Sequence, residues 1–221
     1  MGKLINREKR EEAKKQRAIR KHRILEEARS TFARMPYVEV TLATIGQQAG
    51  VDRGIASMYF HTREELFLLL LRDELAEWYR FLERQLGVGE GNLGAPELAG
   101  LLAGSLADRP MLTRFLSVAP AVLEQNIEAM EVYRFQRWRR DRMTEVGGLM
   151  ERSASCLGPR EGFWLLNLVH LLATGLEPAA NPRGSAAFDR GDPDFTGFWI
   201  DLEDELKKLL TAVLTARRHN G

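Results

Sequence analysis

The chain has 221 residues, 44% hydrophobic and 29% charged, with 32 Lys/Arg against 31 Asp/Glu for a formal net charge of +1. That apolar share excludes an intrinsically disordered chain and suffices for one or two packed domains. Cys156 is the single cysteine, which excludes an intrachain disulfide and a Cys-based zinc site. With no apolar leader and no run of about 18 apolar residues, the expected place is the reducing cytoplasm.

Near-neutrality conceals an asymmetry. Residues 1–63 hold 14 Lys/Arg and 7 Asp/Glu, whereas residues 64–221 hold 18 and 24. A basic first quarter on an otherwise acidic chain points to a phosphate partner for that quarter alone. Its densest part, Lys9 to Arg23, carries Lys14, Lys15, Arg17, Arg20, Lys21 and Arg23 against Glu11 and Glu12. Two readings stay open for this segment: a solvated helix extension or disordered tail, or an arm lying on a DNA backbone or in its minor groove, with residues 1–16 as the basic N-terminal arm.

An amphipathic helix follows, with Ile24, Leu25, Ala28 and Phe32 on one face. Thr41 stands before Leu42, Ile45 and Ala49 at helical spacing and is read as an N-cap, while Gly50 stops that helix in a left-handed conformation. Asp52 then caps a second short helix from Arg53 to about Phe60. Thr62 and Glu65 form a capping box that starts a third near Arg63. Such short helices need a packing partner, so residues 17–62 read as a three-helix, helix-turn-helix domain. A second domain, 63–221, follows.

These residues resemble the DNA-binding domain of the TetR family of transcriptional regulators. The likeness covers about Ala18 to Leu70: Phe32, Thr41, Ile45, Ala49-Gly50-Val51, Gly54, Tyr59-Phe60, Arg63-Glu64 and Leu66. Ile55-Ala56-Ser57 stands where the family usually has Thr-Leu-Tyr, so Ser57 replaces a longer phosphate-gripping side chain. The resemblance implies an all-α fold, a helix-turn-helix followed by a helical ligand-binding and dimerisation domain. It also implies a repressor released by a small molecule. On this reading Arg53 meets a base edge such as guanine and Ile55 a thymine methyl, beside Gly54 on the same helix. Thr41, Ser57, Tyr59 and Arg63 meet phosphates, with core packing as the alternative for Tyr59.

Past Leu66 the chain reads as helix throughout. One long helix runs from Arg63 to about Leu86, a loop spans Gly87 to Gly94, and short helices start at Pro96 and Pro110. Pro120 opens the longest segment, through about Ser155, with Gly147-Gly148 as a weak point or close contact. Pro159 to Leu176 is a helix, Pro178 to Asp194 a long loop, and Phe195 to Arg217 the last helix. Gly89-Glu90-Gly91-Asn92-Leu93-Gly94 satisfies the dinucleotide fingerprint, yet a charged helix precedes it where a strand is required. No nucleophile elbow and no metal-ligand spacing of His22, His61, His170 and His219 appears, so no enzyme, cofactor or metal is expected. A basic amphipathic helix on an acidic membrane is the other rival, weakened because Ile24, Leu25, Ala28 and Phe32 are needed to cover the helix-turn-helix.

Two surfaces complete the reading. Trp199, Leu202, Leu206, Leu209 and Val213 recur at spacings of three and four, widened by Leu210 and Leu214, with Glu203–Lys207 and Asp204–Lys208 opposite. With Phe163 and Leu166 from the apolar helix before, they read as a four-helix interface between two copies or as intramolecular core. A two-fold dimer implies an imperfectly palindromic double-stranded DNA operator. By family resemblance, an inducer cavity falls among Phe115, Ile127, Met130, Tyr133, Phe135, Trp138, Met143 and His170, though each also suits an ordinary core. Arg134, Arg137, Arg139, Arg140 and Arg142 could receive an acid on a largely hydrophobic effector, or lie on a solvated face.

Overall fold

Apolar residues enter the first helix late. In the computed structural model, which describes residues 2–51, 53–87, 93–123, 127–182 and 192–218, helix α1 (Gly2–Arg34) is continuous, so the basic segment is helical backbone. Its residues 10–23 are exposed, whereas Ile24, Ala28 and Phe32 are buried. The chain divides into two units, Met1–Leu70 and Leu71–Gly221.

In the first unit α2 (Leu42–Gln48) and α3 (Arg53–Ser57) pack together, and α4 (Arg63–Leu86) begins. Ile45, Val40, Ala56, Phe60 and Leu66 close the core with the α1 residues. Phe32, Tyr37 and Phe67 form an aromatic cluster with centroids 5.3 to 5.7 Å apart, worth more than its area alone. α4 starts where the capping box places it: the Glu65 N–H donates to Thr62 Oγ1 at 3.0 Å, and the Glu65 carboxylate accepts from the His61 N–H at 2.9 Å. Asp52, read as the cap of α3, lies outside the described residues. α3 ends at Ser57, earlier than expected, and Met58 and Tyr59 form a turn.

The second unit holds the rest of α4 with α5 (Ala95–Ala107), α6 (Pro110–Leu123), α7 (Ala129–Ser153), α8 (Glu161–Ala180) and α9 (Leu202–Arg218). α5 packs on α9 and α6, and α8 on α6, α7 and α9. No helix among the described residues is long and apolar enough to cross a membrane. Three boundaries differ from the sequence reading, each for a local reason. Pro120 does not open a helix; it sits inside α6, where the Leu116 carbonyl that loses its i+4 donor accepts instead from Thr174 Oγ1 at 3.3 Å. Pro178 lies in the last turn of α8, which therefore forfeits one bond and still reaches Ala180. The last helix starts only at Leu202, because Pro193–Phe198 forms a 3-10 turn, Trp199 is extended, and Asp201 Oδ1 caps by accepting the Asp204 N–H at 2.9 Å.

Gly147 and Gly162 are the closest approach of α7 and α8. A Cβ on Gly147 would stand 2.6 Å from the Phe163 nitrogen, and one on Gly162 would run into the Gly147 carbonyl. The pair is thus a close contact and not a weak point.

Candidate DNA-binding and effector sites

The turn that aims α3 rests on two local devices. Thr41 Oγ1 accepts the Thr44 N–H at 3.0 Å, satisfying a free donor at the start of α2, and Gly50 adopts φ +65°, the left-handed geometry that ends it. Helix α3 then presents Gly54 and Ser57 as exposed and Ile55 as half-buried, while Ala56 points into the core. Arg53 begins α3, but its side chain lies outside the described set. Thr41 is exposed. Met58, 76% exposed beside this face, was not among the expected residues, because a helix through Phe60 was assumed.

Tyr59 is half-buried, with the Arg17 guanidinium 5.7 Å from its ring centroid; Lys21 Nζ stands 5.7 Å from that of Phe60. Between α1 and the recognition segment lies an open recess of about 370 Å³ lined by Ala13, Arg17, Arg20, Ile55, Met58 and Tyr59.

Arg63 is placed differently from the other candidates. Its Nε donates to Glu64 Oε1 at 2.7 Å, and its Nη1 to the carbonyls of Val40 at 2.9 Å and of Tyr37 and Val38 at 3.3 Å. The guanidinium also covers the Tyr37 ring at 4.7 Å. The Glu64 hydrogen bond raises the Arg63 pKa further. Burial, helped by Glu64, pushes the Tyr37 phenol far above its ordinary range. Arg63 thereby ties the loop before Thr41 to the start of α4.

In the second unit the residues read as cavity walls separate into two groups. Phe135, Trp138 and His170 converge on Tyr79 and Trp78, with ring centroids 5.5 to 6.2 Å apart. Phe115 and Met143 are buried. Met130 and Tyr133 are more than half exposed and Ile127 is part-exposed, so these three line no enclosed wall. Sequence reasoning missed Trp78 and Tyr79, because α4 was read as a connecting helix and its inward residues are revealed only by packing against α5, α7 and α8.

This aromatic set contains buried polar atoms. Trp78 Nε1 donates to Ser105 Oγ at 2.9 Å, and the Tyr79 hydroxyl lies 3.5 Å from His170 Nε2. His170 Nδ1 is buried and has no partner among the described residues. Burial, with a smaller effect of Arg139, pushes His170 down to about 3, so it is neutral at pH 7. Burial raises the Tyr79 phenol against the pull of Arg139 and Arg142. Arg142 pairs with Glu83 at 2.5 Å, Arg140 with Asp141 at 2.7 Å, Arg134 with Glu131, and Arg72 covers Trp138 at 5.1 Å. Arg139 makes no ion pair among the described residues.

The apolar stripe of α9 faces its own chain. Leu206 and Leu210 are wholly buried, as are Leu166 of α8 and Leu214, and Leu202 nearly so. Side chains covered by α5 and α8 cannot also line a surface between two copies. Trp199 is half-buried on extended backbone and so does not extend the helical stripe. What remains outward is Phe163, Leu171 at 62% exposure, Leu209 and Val213. Leu171 was missed although it follows Phe163 by eight residues on one helix face. Arg217 braces this end, donating to Glu161 Oε1 at 2.6 Å and covering Trp164 at 4.1 Å. The Gly158 N–H and then Arg217 hold the Glu161 carboxyl below its usual range. Lys208 pairs with Glu205 at 3.7 Å, one residue beyond its expected partner Asp204.

Gly89 and Gly91 lie outside the described residues, but Gly94 caps α5 and the element before the loop is α4, so the strand a dinucleotide site requires is replaced by a helix. No group of three or more His, Cys, Asp or Glu among the described residues could hold a metal ion.

Comparison with known proteins agrees with this geometry. Residues 24–70 match the family of bacterial regulatory proteins called the tetR family, and residues 72–218 match the tetracyclin repressor-like C-terminal domain. No curated protein sequence matches the chain. Among solved structures, the fatty acid degradation regulator FadR from Bacillus halodurans is similar at 16% identity and a TM-score of 0.52. FadR from Bacillus subtilis in complex with stearoyl-CoA is similar at 14% identity and a TM-score of 0.54. Each likeness covers 86% of this chain and 97% of the other. Helix-turn-helix, helical second unit and family matches over nearly all residues from 24 to 218 lead to one conclusion: the chain belongs to the TetR family of DNA-binding transcriptional regulators.

Proposed function

We propose that the protein is a repressor that binds an imperfectly palindromic operator as a homodimer and leaves it when a mostly apolar, acid-bearing effector binds the second unit. The observation that carries the effector's chemistry is the buried Tyr79–His170 pair within the Trp78, Phe135 and Trp138 rings, with His170 Nδ1 unpartnered beside the unpaired Arg139. Aromatic walls suit a hydrophobic body; neutral donors and one unbalanced cation suit a carbonyl or acid oxygen. The stearoyl-CoA held by the Bacillus subtilis protein is a molecule of that kind.

On the DNA side Arg53 contacts a base edge and Ile55 a thymine methyl, with Gly54 letting α3 approach closely. Thr41, Ser57 and Tyr59 contact phosphates. Two copies pair through the outward face of α8 and α9, with Phe163, Leu171, Leu209 and Val213 at the contact. Because α4 belongs to both units, an effector that favours one arrangement of that helix changes the spacing of the two recognition helices. A tenfold loss of operator affinity requires only about 1.4 kcal/mol of differential binding.

Selection of duplexes from a random library, followed by native mass spectrometry for a retained small molecule, tests both halves. A palindromic consensus and an apolar acid are expected. Trp138→Ala should abolish release by that effector and leave operator binding intact. If the library yields no consensus, the repressor reading fails; if Trp138→Ala still responds to effector, the effector site lies elsewhere.

A further inference from the structure

Charge is unevenly placed even inside the DNA-binding unit. Residues 24–63 carry four Lys/Arg and four Asp/Glu, so the helix-turn-helix up to the first residue of α4 is itself neutral, whereas residues 2–23 carry ten and three. The entire positive excess therefore lies on the part of α1 that precedes the family domain.

That excess is ordered. Lys3, Arg7, Arg10, Lys14, Arg17 and Lys21 recur at spacings of four and three, which on a helix of about 3.6 residues per turn makes one stripe. Glu8 and Glu12 fall on the opposite face. Over residues 10–23 every side chain is exposed; Glu11–Lys14 at 3.3 Å and Glu12–Gln16 at 3.0 Å are pairs within the helix itself. The stripe has a direction. Arg17 over Tyr59 and Lys21 over Phe60 fix its C-terminal end on the side of the recognition segment, and Arg17 and Arg20 share a recess with Ile55 and Met58. From Lys3 to Lys21 it extends for about 27 Å at 1.5 Å per residue, comparable to about eight base pairs of duplex at 3.4 Å each.

We propose that this stripe of α1 lies along the phosphate backbone of duplex DNA beside the segment read by α3, and that it supplies most of the sequence-independent affinity of a head whose recognition core is neutral. The inference rests on the DNA-binding reading and adds a second contact to it. A polyanion complements the stripe, and its continuity with the recognition face selects DNA among polyanions. An acidic membrane does not fit, because over residues 10–23 the apolar side chains are only Ala13, Ala18 and Ile19, which lie more than one quarter-turn apart and form no apolar face.

Two triple variants with equal loss of charge test it: Arg10→Gln/Lys14→Gln/Arg17→Gln on the stripe and Lys9→Gln/Lys15→Gln/Arg23→Gln off it. The full-length proteins are titrated with a random 40-base-pair duplex and with the duplex the wild type selects from a library, over a series of salt concentrations. At about 0.9 per phosphate contact, the stripe variant should lower the slope of log affinity against log salt by about 2 to 3 on both duplexes. It should bind about tenfold more weakly at moderate salt and select the same consensus, while the off-stripe variant changes the slope by less than 1. Equal behaviour of the two triples, or a stripe variant with wild-type slope, overturns the proposal. Vesicles of phosphatidylglycerol and phosphatidylcholine form the control arm: loss of vesicle binding with the DNA slope intact would assign the stripe to lipid and also overturn it. A wild type that selects no consensus defeats the regulator reading instead, and leaves the stripe's effect readable on the random duplex.

Discussion

The two units hold themselves together differently. In Met1–Leu70 the polar anchors that set the turn and the helix starts are local: Thr41 to Thr44, Glu65 to Thr62 and His61, and the left-handed Gly50; Thr31 to Gln48, Tyr37 to Glu64 and Arg63 to Val40 tie them together afterwards. In Leu71–Gly221 they join separate helices: Trp78 to Ser105, Ser153 Oγ to the Leu86 carbonyl, Thr174 to Leu116, and Arg217 to Glu161. Local anchors can form as soon as each helix does, whereas bonds between helices exist only after the helices have packed. Damage to the second unit should therefore spread, and damage to the first should stay confined.

The largest expected effect breaks the second unit. Leu206 is wholly buried against its own chain, and Leu206→Glu puts an unpaired carboxylate there, costing about 3 to 5 kcal/mol. Denaturant unfolding should show a grossly destabilised protein. Leu171→Glu, on the exposed side of α8, should instead keep its melting temperature and run as a monomer in the ultracentrifuge. A folded, dimeric Leu206→Glu would contradict the packing described.

Next come the glycines. Gly162→Ala forces a methyl into the Gly147 carbonyl, a backbone atom that cannot swing aside, and should lose about 1 to 3 kcal/mol. Gly54→Ala in the first unit meets open space on a helix and should gain about 0.5 to 1 kcal/mol. Thermal melts that rank these two the other way would erase the contrast between the units.

His170 gives the second unit a pH dependence that sharpens it further. Its folded pKa of about 3 lies below the ordinary 6.5, so between those values the unfolded chain binds more protons and stability falls as pH drops, by up to about 1.4 kcal/mol per unit. Above 6.5 the imidazole adds nothing. From pH 7 to pH 5 the wild type should lose about 2 kcal/mol more than His170→Gln in urea titrations; parallel losses would place His170 outside the buried set.

The smallest effect concerns one of the anchors of the first unit that are not local. Arg63 reaches back to Val40 over 23 positions, and Arg63→Ala should cost about 1 kcal/mol. It should weaken DNA binding with the salt slope unchanged, and Arg63→Lys should not rescue it, because one ammonium cannot meet Glu64 and Val40 as the planar guanidinium does. A slope lowered by about 0.9 would return Arg63 to the phosphate.

How much was legible follows the same division. Thr41, Gly50, Thr62 and Glu65 announced the helix-turn-helix because caps and left-handed turns are properties of three or four adjacent residues. The course of α4 from Arg63 to Leu86 was legible for that reason too. Asp201 was a cap of the same kind, with Glu203, Asp204 and Glu205 in the first turn, and was overlooked because Phe195 and Trp199 continued the apolar spacing. Pro120 and Pro178 misled for a different reason: a proline deletes one backbone donor, and whether a helix survives depends on what the freed carbonyl finds. For Leu116 the answer was Thr174, 58 positions away.

The sequence by itself determined the class of the protein and the polarity of its charge, since composition, capping and periodicity act over a few residues at a time. Only the tertiary structure decided which face of each amphipathic helix is spent inside the chain. It turned Leu202, Leu206 and Leu210 inward and Leu171 outward, separated Phe135, Trp138 and His170 from Met130 and Tyr133, and gathered Trp138 and His170 around Tyr79, with Phe135 against Trp138. Helical spacing states that a stripe must be covered; which element covers it is settled by contacts between residues tens of positions apart.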